Sequence, residues 1–171
     1  TSELGEGFWE VALPQELVSP SKRSPAFQIF LAALVSKGTR GFLSKSINVA
    51  QMIEGHGDMH HIVPKNHLIN NGFPKQSDYN QVANFALTET PINISIKDHP
   101  PREYMALLNR QIETGVLKVG EITQLDDLNA NLAENAIPAL IYDVTADNYF
   151  EFLVARRQLM AKAIRDYYEN L

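Results

Sequence analysis

Apolar residues recur at helical spacing over most of the chain. The first such stretch begins with Ser24 and Pro25, an N-cap residue followed by proline at the first helical position, and ends at Gly38. Residues 46–55 predict a second, short helix that Gly55 closes, and residues 98–115 predict a third that Gly115 closes. This pattern is typical of a largely helical protein.

The C-terminal part of the chain continues the helical pattern. Residues 121–142 predict a looser helix that Pro138 breaks. The final segment predicts the clearest helix, with Thr145 as its N-cap. Its apolar positions along one face are Phe150, Leu153, Met160, Ile164, Tyr167 and Leu171. We expect this face to pack against the core.

Only residues 57–97 lack a regular helical pattern. Two short strands are predicted there, separated by a polar loop rich in Asn, Gly, Pro and Lys. Their apolar positions are Met59, Ile62 and Val63 in the first strand and Val82, Phe85 and Leu87 in the second. The predicted fold class is therefore α+β and mainly α, with a helical frame around a short two-stranded hairpin.

Composition narrows the class of protein. The 171 residues are 44% hydrophobic, enough for one folded domain. Cysteine is absent, which excludes disulfides, thiolate zinc sites, iron–sulfur clusters and cysteine nucleophiles. No apolar run is long enough to cross a membrane and no export signal is visible, so we expect a soluble, cytoplasmic protein. Because the chain begins with Thr1, we expect it to be a piece of a longer protein.

Charge is unevenly distributed. The net charge of −5, with 15 basic and 20 acidic residues, argues against a protein that coats nucleic acid by bulk electrostatics. Residues 121–151 contain acidic but no basic residues, and the stretch between Leu17 and Ile53 contains no acidic residue. The basic residues of that stretch, which are candidates for contacts with a DNA backbone, are Lys22, Arg23, Lys37, Arg40 and Lys45.

Two adjacent histidines, His60 and His61, lie in the first predicted strand, which Pro64 ends. Neighbours on a strand point to opposite faces, so the two rings are better suited to separate tasks than to chelating one ion. Taken alone, such a pair is more often structural or exposed. We expect Asn93 in the first turn of a helix that Pro91 begins, with Lys97 one turn later on the same face. An amide oxygen suits Mg²⁺ or Mn²⁺, and a helix N-terminus attracts phosphate.

These residues resemble a known motif. The run His60-His61-Ile62-Val63-Pro64, followed by Asn84 and then by Asn93, is similar to the HNH, or ββα-metal, endonuclease motif over about forty residues. The segments SPAFQIFLAALVSKGTRGFLS, INISIKDHPPREYM and FLVARRQLMAKAIRDYY resemble, more loosely, the C-terminal nuclease region of GmrSD-like modification-dependent restriction proteins. The hairpin would then be a ββα-metal insert in the helical frame.

The resemblance implies a role for each matching residue. His61 would be the general base, His60 and Asn93 the metal ligands, and Asn84 a brace for the loop. The resemblance also places Lys97 among the catalytic residues. The family usually has glycine directly after this lysine, whereas this chain has Asp98, so the role of Lys97 stays open. The cofactor would be Mg²⁺ or Mn²⁺, with Zn²⁺ or Ni²⁺ as alternatives, and Lys65 would join the DNA-contacting residues.

The implied protein is a metal-dependent DNA endonuclease. Residues 1–171 would form one nuclease domain, with a helical lead-in over 1–56, the ββα core over 57–98 and C-terminal helices over 99–171. It would be the cleavage module of a restriction or phage-defence protein that acts on DNA, including modified DNA. A nucleotide-hydrolysing or sensing domain would precede it, membranes would play no part, and a homodimer would allow both strands to be cut.

Two other functions stay open. The first is a non-catalytic module that binds nucleic acid or protein on the same scaffold, and the second is a structural metal domain that uses His60, His61 and His67. For His67 we prefer a loop residue without a metal. Asn80 is interpreted as a solvated turn residue, with bracing of the loop as the alternative. Surface positions are predicted for His56, His99, Arg156 and Arg157.

Overall fold

The computed structural model describes residues 4–171, apart from the side chain of His56, whose predicted surface position lies outside this description. The α-helices are α1 Leu13–Glu16, α2 Pro25–Ser36, α3 Val49–Gln51, α4 Lys65–Asn70, α5 Gln76–Tyr79, α6 Thr90–Ile96, α7 Pro101–Thr114, α8 Leu125–Glu134 and α9 Tyr149–Glu169. The strands are β1 Asp58–His61 and β2 Phe85–Thr88. Turns of π-helix span Phe8–Ala12 and Met52–His56, and 3₁₀ turns span Val82–Asn84, Ala139–Asp143 and Ala146–Asn148.

The predicted fold class is confirmed, because helices dominate and the two strands form a small antiparallel sheet. The best-predicted helices are α2 and α7, whose proline starts and glycine stops lie where the sequence indicates. Gly38 and Gly115 follow these helices with φ of 64° and 74°, a region that favours glycine. Among the described residues, no helix has the length and apolar character needed to cross a membrane.

The last helix differs from its prediction at the start. Thr145 caps the 3₁₀ turn Ala146–Asn148, accepting a hydrogen bond from the Asp147 amide, and α9 begins only afterwards. This changes which side chains face the core. The buried residues of α9 are Tyr149, Phe152, Leu153, Arg156, Met160, Ala161 and Ile164. Phe150 and Leu171, predicted on the apolar face, are 54% and 83% exposed, because the packed face begins at Tyr149 instead.

Three further boundaries differ from the sequence pattern. Asn48 rather than Ser46 caps the second helix, through a reciprocal pair of hydrogen bonds with Gln51. The helix predicted over 121–142 ends at Glu134, four residues before the proline. The polar loop predicted between the strands contains the short helices α4 and α5.

The hairpin aligns Asp58 with Thr88 and His61 with Phe85. β1 is shorter than predicted, because the main chain after His61 turns away from the ladder and is held by other contacts. Ile62 donates its amide to the Asn84 carbonyl at 2.8 Å, and the Tyr104 hydroxyl donates to the Ile62 carbonyl at 2.8 Å. As predicted, the segment after β2 enters a helix, α6, that contains Pro91 and Asn93.

Arg156 occupies the core and not the surface we predict. It is 1% exposed, its guanidinium donates to the carbonyls of Ala83 (3.1 Å) and Asn135 (3.2 Å), and it lies over the ring of Phe30. Burial lowers its pKa to about 9. A buried cation can satisfy main-chain carbonyls that no backbone amide reaches, and here it ties α9 to the segment that leads into β2. Arg157 is half-buried and donates to the Gln81 side chain at 3.1 Å.

Candidate functional site

The two adjacent histidines line one cavity of about 160 Å³ at the end of the hairpin. Strand neighbours face opposite sides, and β1 ends at His61, yet both residues contribute to the lining of this one cavity. The residues around the cavity are Met59, His60, His61, Pro64, Lys65, Asn66, Asn93, Lys97 and Asp98. The structure therefore brings together both predicted metal ligands, the predicted base and two of the predicted lysines.

His60 lies on the inner side of this cavity and is 3% exposed. The Asn93 carbonyl oxygen faces the ring, so His60 Nδ1 carries the proton and donates to Asn93 Oδ1 at 2.6 Å. The rings of Phe42 and Tyr104 pack against the imidazole edge-on. Burial lowers the pKa of His60 to about 4, against the opposing effect of the Asn93 hydrogen bond. His60 is thus a neutral imidazole at pH 7.

Asp58 completes this face of β1. Its Oδ2 accepts a hydrogen bond from Asn93 Nδ2 at 3.2 Å, which fixes the amide with its carbonyl oxygen toward His60. The sequence analysis did not single out this carboxylate. The signal was available, since residues two apart on a strand share a face and Asp58 precedes His60 by two positions.

His61 has a different environment. Its Nε2 donates to Asn80 Oδ1 at 2.8 Å, which leaves Nδ1 as the nitrogen with a free lone pair. The rings of Tyr79 and Phe85 flank the imidazole at 6.2 and 5.2 Å between centroids. Partial burial lowers the pKa of His61, the Asn80 hydrogen bond raises it, and Lys22 and Lys65 lower it further. Asn80 is therefore a partner of His61 and not the solvated turn residue we expect.

Asn84 lies beneath both histidines and is fully buried. Its Oδ1 accepts from the Val63 amide at 2.8 Å, and its Nδ2 donates to the carbonyls of Val63 (3.1 Å) and Tyr79 (3.2 Å). These bonds fix the main chain immediately after His61 to the start of β2. The contacts are those of a brace, the role that the resemblance implies for this residue.

Lys97 does not continue the face of α6. The helix ends at Ile96, and Lys97 follows it with φ of 54° and ψ of −130°, a conformation that usually requires glycine. The prediction of a lysine one turn along the helix is wrong, because the chain reverses here toward Pro100 and Pro101. Lys97 nevertheless lines the cavity.

Two lysines stand next to His61 from different parts of the chain. The Lys22 ammonium lies 5.3 Å from the Phe85 ring centroid, and the Lys65 ammonium lies 5.2 Å from that of Tyr79. Each lysine therefore covers one of the rings that flank the histidine. Lys22 reaches this position because Val82 donates its amide to the Ser19 carbonyl at 2.8 Å, which ties the loop before α2 to the hairpin.

The rest of the basic stretch is distributed differently. Lys37 pairs with Asp166 of α9 at 3.8 Å, and Arg40 pairs with Glu134 of α8 at 3.5 Å. Both face acidic groups on the helical frame, and Arg23 and Lys45 are exposed. The basic residues of this stretch therefore lie in different places, Lys22 beside His61 and Lys37 and Arg40 on the helical frame, and their contact with DNA stays a prediction.

His67 belongs to helix α4 rather than to a loop. Its Nε2 accepts the Ala146 amide at 3.1 Å, so this nitrogen is used in holding the segment before α9. Among the side chains that the structure describes, no three His, Asp or Glu residues converge as a cation site, so the structure gives no support to a site built from His60, His61 and His67.

Comparisons with protein-family models, with curated proteins and with solved structures find no match to this chain.

Proposed function

We propose that this chain is a metal-dependent endonuclease domain of the HNH type that hydrolyses phosphodiester bonds in DNA. The observation that carries the proposal is the pair of histidines at the end of the hairpin, each hydrogen-bonded to its own asparagine. A buried imidazole bonded to an asparagine on α6 adjoins a second imidazole bonded to Asn80, and both line one cavity. One face of strand β1 then offers ligand atoms for a cation, and the other face offers a general base.

His60 and Asn93 fit the binding of a divalent cation. His60 Nδ1 and Asn93 Oδ1, which are 2.6 Å apart in a hydrogen bond, would hold a divalent cation in place of the shared proton. If Nδ1 bound a cation, the ring proton would move to Nε2, which is buried without a hydrogen-bond partner among the described residues. A bound cation would supply positive charge at the phosphate oxygens that gain charge in the reaction.

His61 fits the role of general base. With Nε2 donating to Asn80, Nδ1 can accept a proton from a water in the cavity as the oxygen of that water attacks phosphorus and the bond to the leaving oxygen breaks. The lowered pKa keeps the ring neutral and able to accept that proton at pH 7. Asn80 fixes which nitrogen is the base.

Lys22 and Lys65 fit contacts with the phosphates on either side of the scissile bond. Both ammonium groups are exposed and held over aromatic rings next to His61. Lysine neutralises phosphate charge without reading base sequence, so we propose backbone contacts here, with Lys97 of the cavity lining as a third lysine.

The wider setting is proposed from the sequence resemblance. The domain would be the cleavage module of a restriction or phage-defence protein that acts on DNA, including modified DNA, together with a nucleotide-hydrolysing or sensing domain of the same protein. Pairing of two copies would place one active site on each strand of the duplex.

The test is plasmid nicking in Mg²⁺ or Mn²⁺ by the wild type, by His61→Ala and by His99→Ala. His99 is a matched control because it is an exposed histidine that pairs only with Glu103 of its own helix region. We expect His61→Ala to lower the rate roughly 10²- to 10⁴-fold, His99→Ala to match the wild type, and EDTA to abolish cleavage. Salt-dependent DNA binding without cleavage would instead favour the non-catalytic module, and unchanged cleavage by His61→Ala would refute the base.

A further inference from the structure

The turn that follows α6 has a backbone conformation that lysine disfavours. His99 donates its amide to the Ile96 carbonyl at 3.2 Å, and Lys97 between them has φ of 54° and ψ of −130°. These angles are those of the first central position of a type II′ turn, where glycine is preferred because it has no Cβ. The backbone at Lys97 is therefore strained, and glycine would relieve the strain.

Two other residues show how this fold offsets such strain. Leu43 and Ala136, also described and also not glycine, have positive φ of 62° and 55°. Leu43 is fully buried and its amide donates to Asn131 Oδ1 at 2.8 Å, and Ala136 is 5% exposed. At both positions the packing of the side chain compensates for the backbone conformation.

Lys97 has no such compensation within the fold. Its side chain is exposed, and none of the ion pairs among the described residues involves it. Lys97 does line the cavity to which His60, His61 and Asn93 also contribute. Strained backbone that packing does not offset clusters at active sites, which points to the side chain of Lys97 as the reason for the strain.

The cavity lining contains two lysines, and their positions differ. The Lys65 ammonium lies 5.2 Å from the ring centroid of Tyr79 and acts on His61. Lys97 instead belongs to the segment that carries Asn93, which it follows directly after the end of α6. The lysine that follows the proposed cation ligand is thus also the one held against its backbone preference.

We infer that Lys97 is a catalytic residue whose ammonium contacts the scissile phosphate and binds it more strongly as its oxygens gain charge in the transition state. The inference rests on the proposed function, because it concerns the phosphate that the same site would cleave. As water attacks phosphorus, its proton goes to His61 and the bond to the leaving oxygen breaks. Lys97 keeps its own proton and donates a hydrogen bond to a phosphate oxygen.

The test compares cleavage with stability in Lys97→Gly. We expect the rate of plasmid nicking at saturating protein to fall about 10²- to 10³-fold, as for the loss of a donor to the transition state. DNA affinity should fall only about 3- to 10-fold, as for one lost phosphate contact. The melting temperature in EDTA should lie about 2–4 °C above that of Lys97→Ala, because glycine relieves the turn and alanine does not.

Three further variants separate the ammonium from the turn. Lys97→Ala should cut as slowly as Lys97→Gly, whereas Lys97→Arg, which keeps the cation, should stay within about tenfold of the wild type. Lys118→Ala is the matched control, since it removes an exposed lysine outside the cavity lining, and it should cut and bind DNA as the wild type does.

Binding of inorganic phosphate gives a readout that does not depend on cleavage. We expect phosphate to shift the ring signals of His61 in NMR spectra, with a midpoint at least about fivefold higher in Lys97→Gly than in the wild type. Nicking by Lys97→Gly at the wild-type rate, or equal phosphate midpoints in the two proteins, would overturn the inference. A wild type that cuts no DNA in any metal but needs Lys97 to bind phosphate would refute the proposed function and the catalytic role, and would leave the phosphate contact standing.

Discussion

Each face of strand β1 carries a histidine, but the two imidazole rings have different surroundings. His60 is 3% exposed, packs against aromatic rings and bonds to an asparagine of α6. His61, the next residue, is only partly buried, bonds to Asn80 between the strands and has two lysines beside it. The identity of the residue is therefore a poor guide to its chemistry here, because the surroundings decide the charge and the available nitrogen.

This difference suits the two histidines to the two separate tasks proposed for them. A ring whose charged form is strongly disfavoured remains neutral and suits a metal ligand, while a ring in contact with solvent can take up and release a proton. Each face also has its own asparagine, Asn93 bonded to Nδ1 of His60 and Asn80 bonded to Nε2 of His61. The comparison can be tested at each face separately.

The largest effect is expected on the pH dependence of stability at the buried face. The folded pKa of His60 is about 4, below the ordinary value of 6.5, so the unfolded chain binds this proton more readily. In EDTA, the free energy of unfolding should therefore fall as the pH is lowered from about 6.5 to 4, by up to about 3 kcal/mol from this residue. Urea unfolding at several pH values measures the change.

His60→Asn is the matched variant for this measurement. The amide nitrogen of the new side chain can still donate to Asn93, but it does not titrate. The variant should lose less stability than the wild type over the same pH interval, and parallel curves for the two proteins would show that His60 is not the group responsible.

A smaller effect is expected from the partner of His61. Asn80→Ala removes the hydrogen bond that orients the imidazole and leaves the ring in place, so plasmid nicking should slow about 10- to 100-fold. Asn109→Ala, at an exposed position of α7, should cut at the wild-type rate. Full activity in Asn80→Ala would mean that flanking rings alone position the base.

The smallest effect concerns the lysines of the basic stretch. Lys22 adjoins His61, whereas Lys37 pairs with Asp166 on the frame. Lys22→Ala should weaken DNA binding about 3- to 10-fold and reduce the salt dependence by about one phosphate contact, while Lys37→Ala should change binding less than about twofold. Fluorescence anisotropy over a series of salt concentrations distinguishes the two, and equal losses would show that the pairing of Lys37 with Asp166 does not keep it from contacting DNA.

The local sequence pattern was sufficient to predict much of the fold. The proline starts and glycine stops of α2 and α7 depend on residues within a few positions of each other, and the structure has these helices where the sequence predicts them. The face of α9 was less predictable, because a 3₁₀ turn before Tyr149 shifts the helix start, and because a buried arginine lies among the apolar positions. Hydrophobic periodicity treats every charged side chain as a surface residue, so it could not place Arg156.

The candidate site, like the fold, could be predicted from the sequence only in part. The sequence by itself determined the available donors, the adjacency of His60 and His61, and the absence of cysteine ligands. Only the tertiary structure decided which histidine is buried, that Asn80 bonds to the partly buried one, and that Lys22 reaches the site while Lys37 does not. The physical reason is that burial and partner choice depend on contacts between distant segments, such as Phe42 and Tyr104 on His60, and spacing along the chain does not encode those contacts.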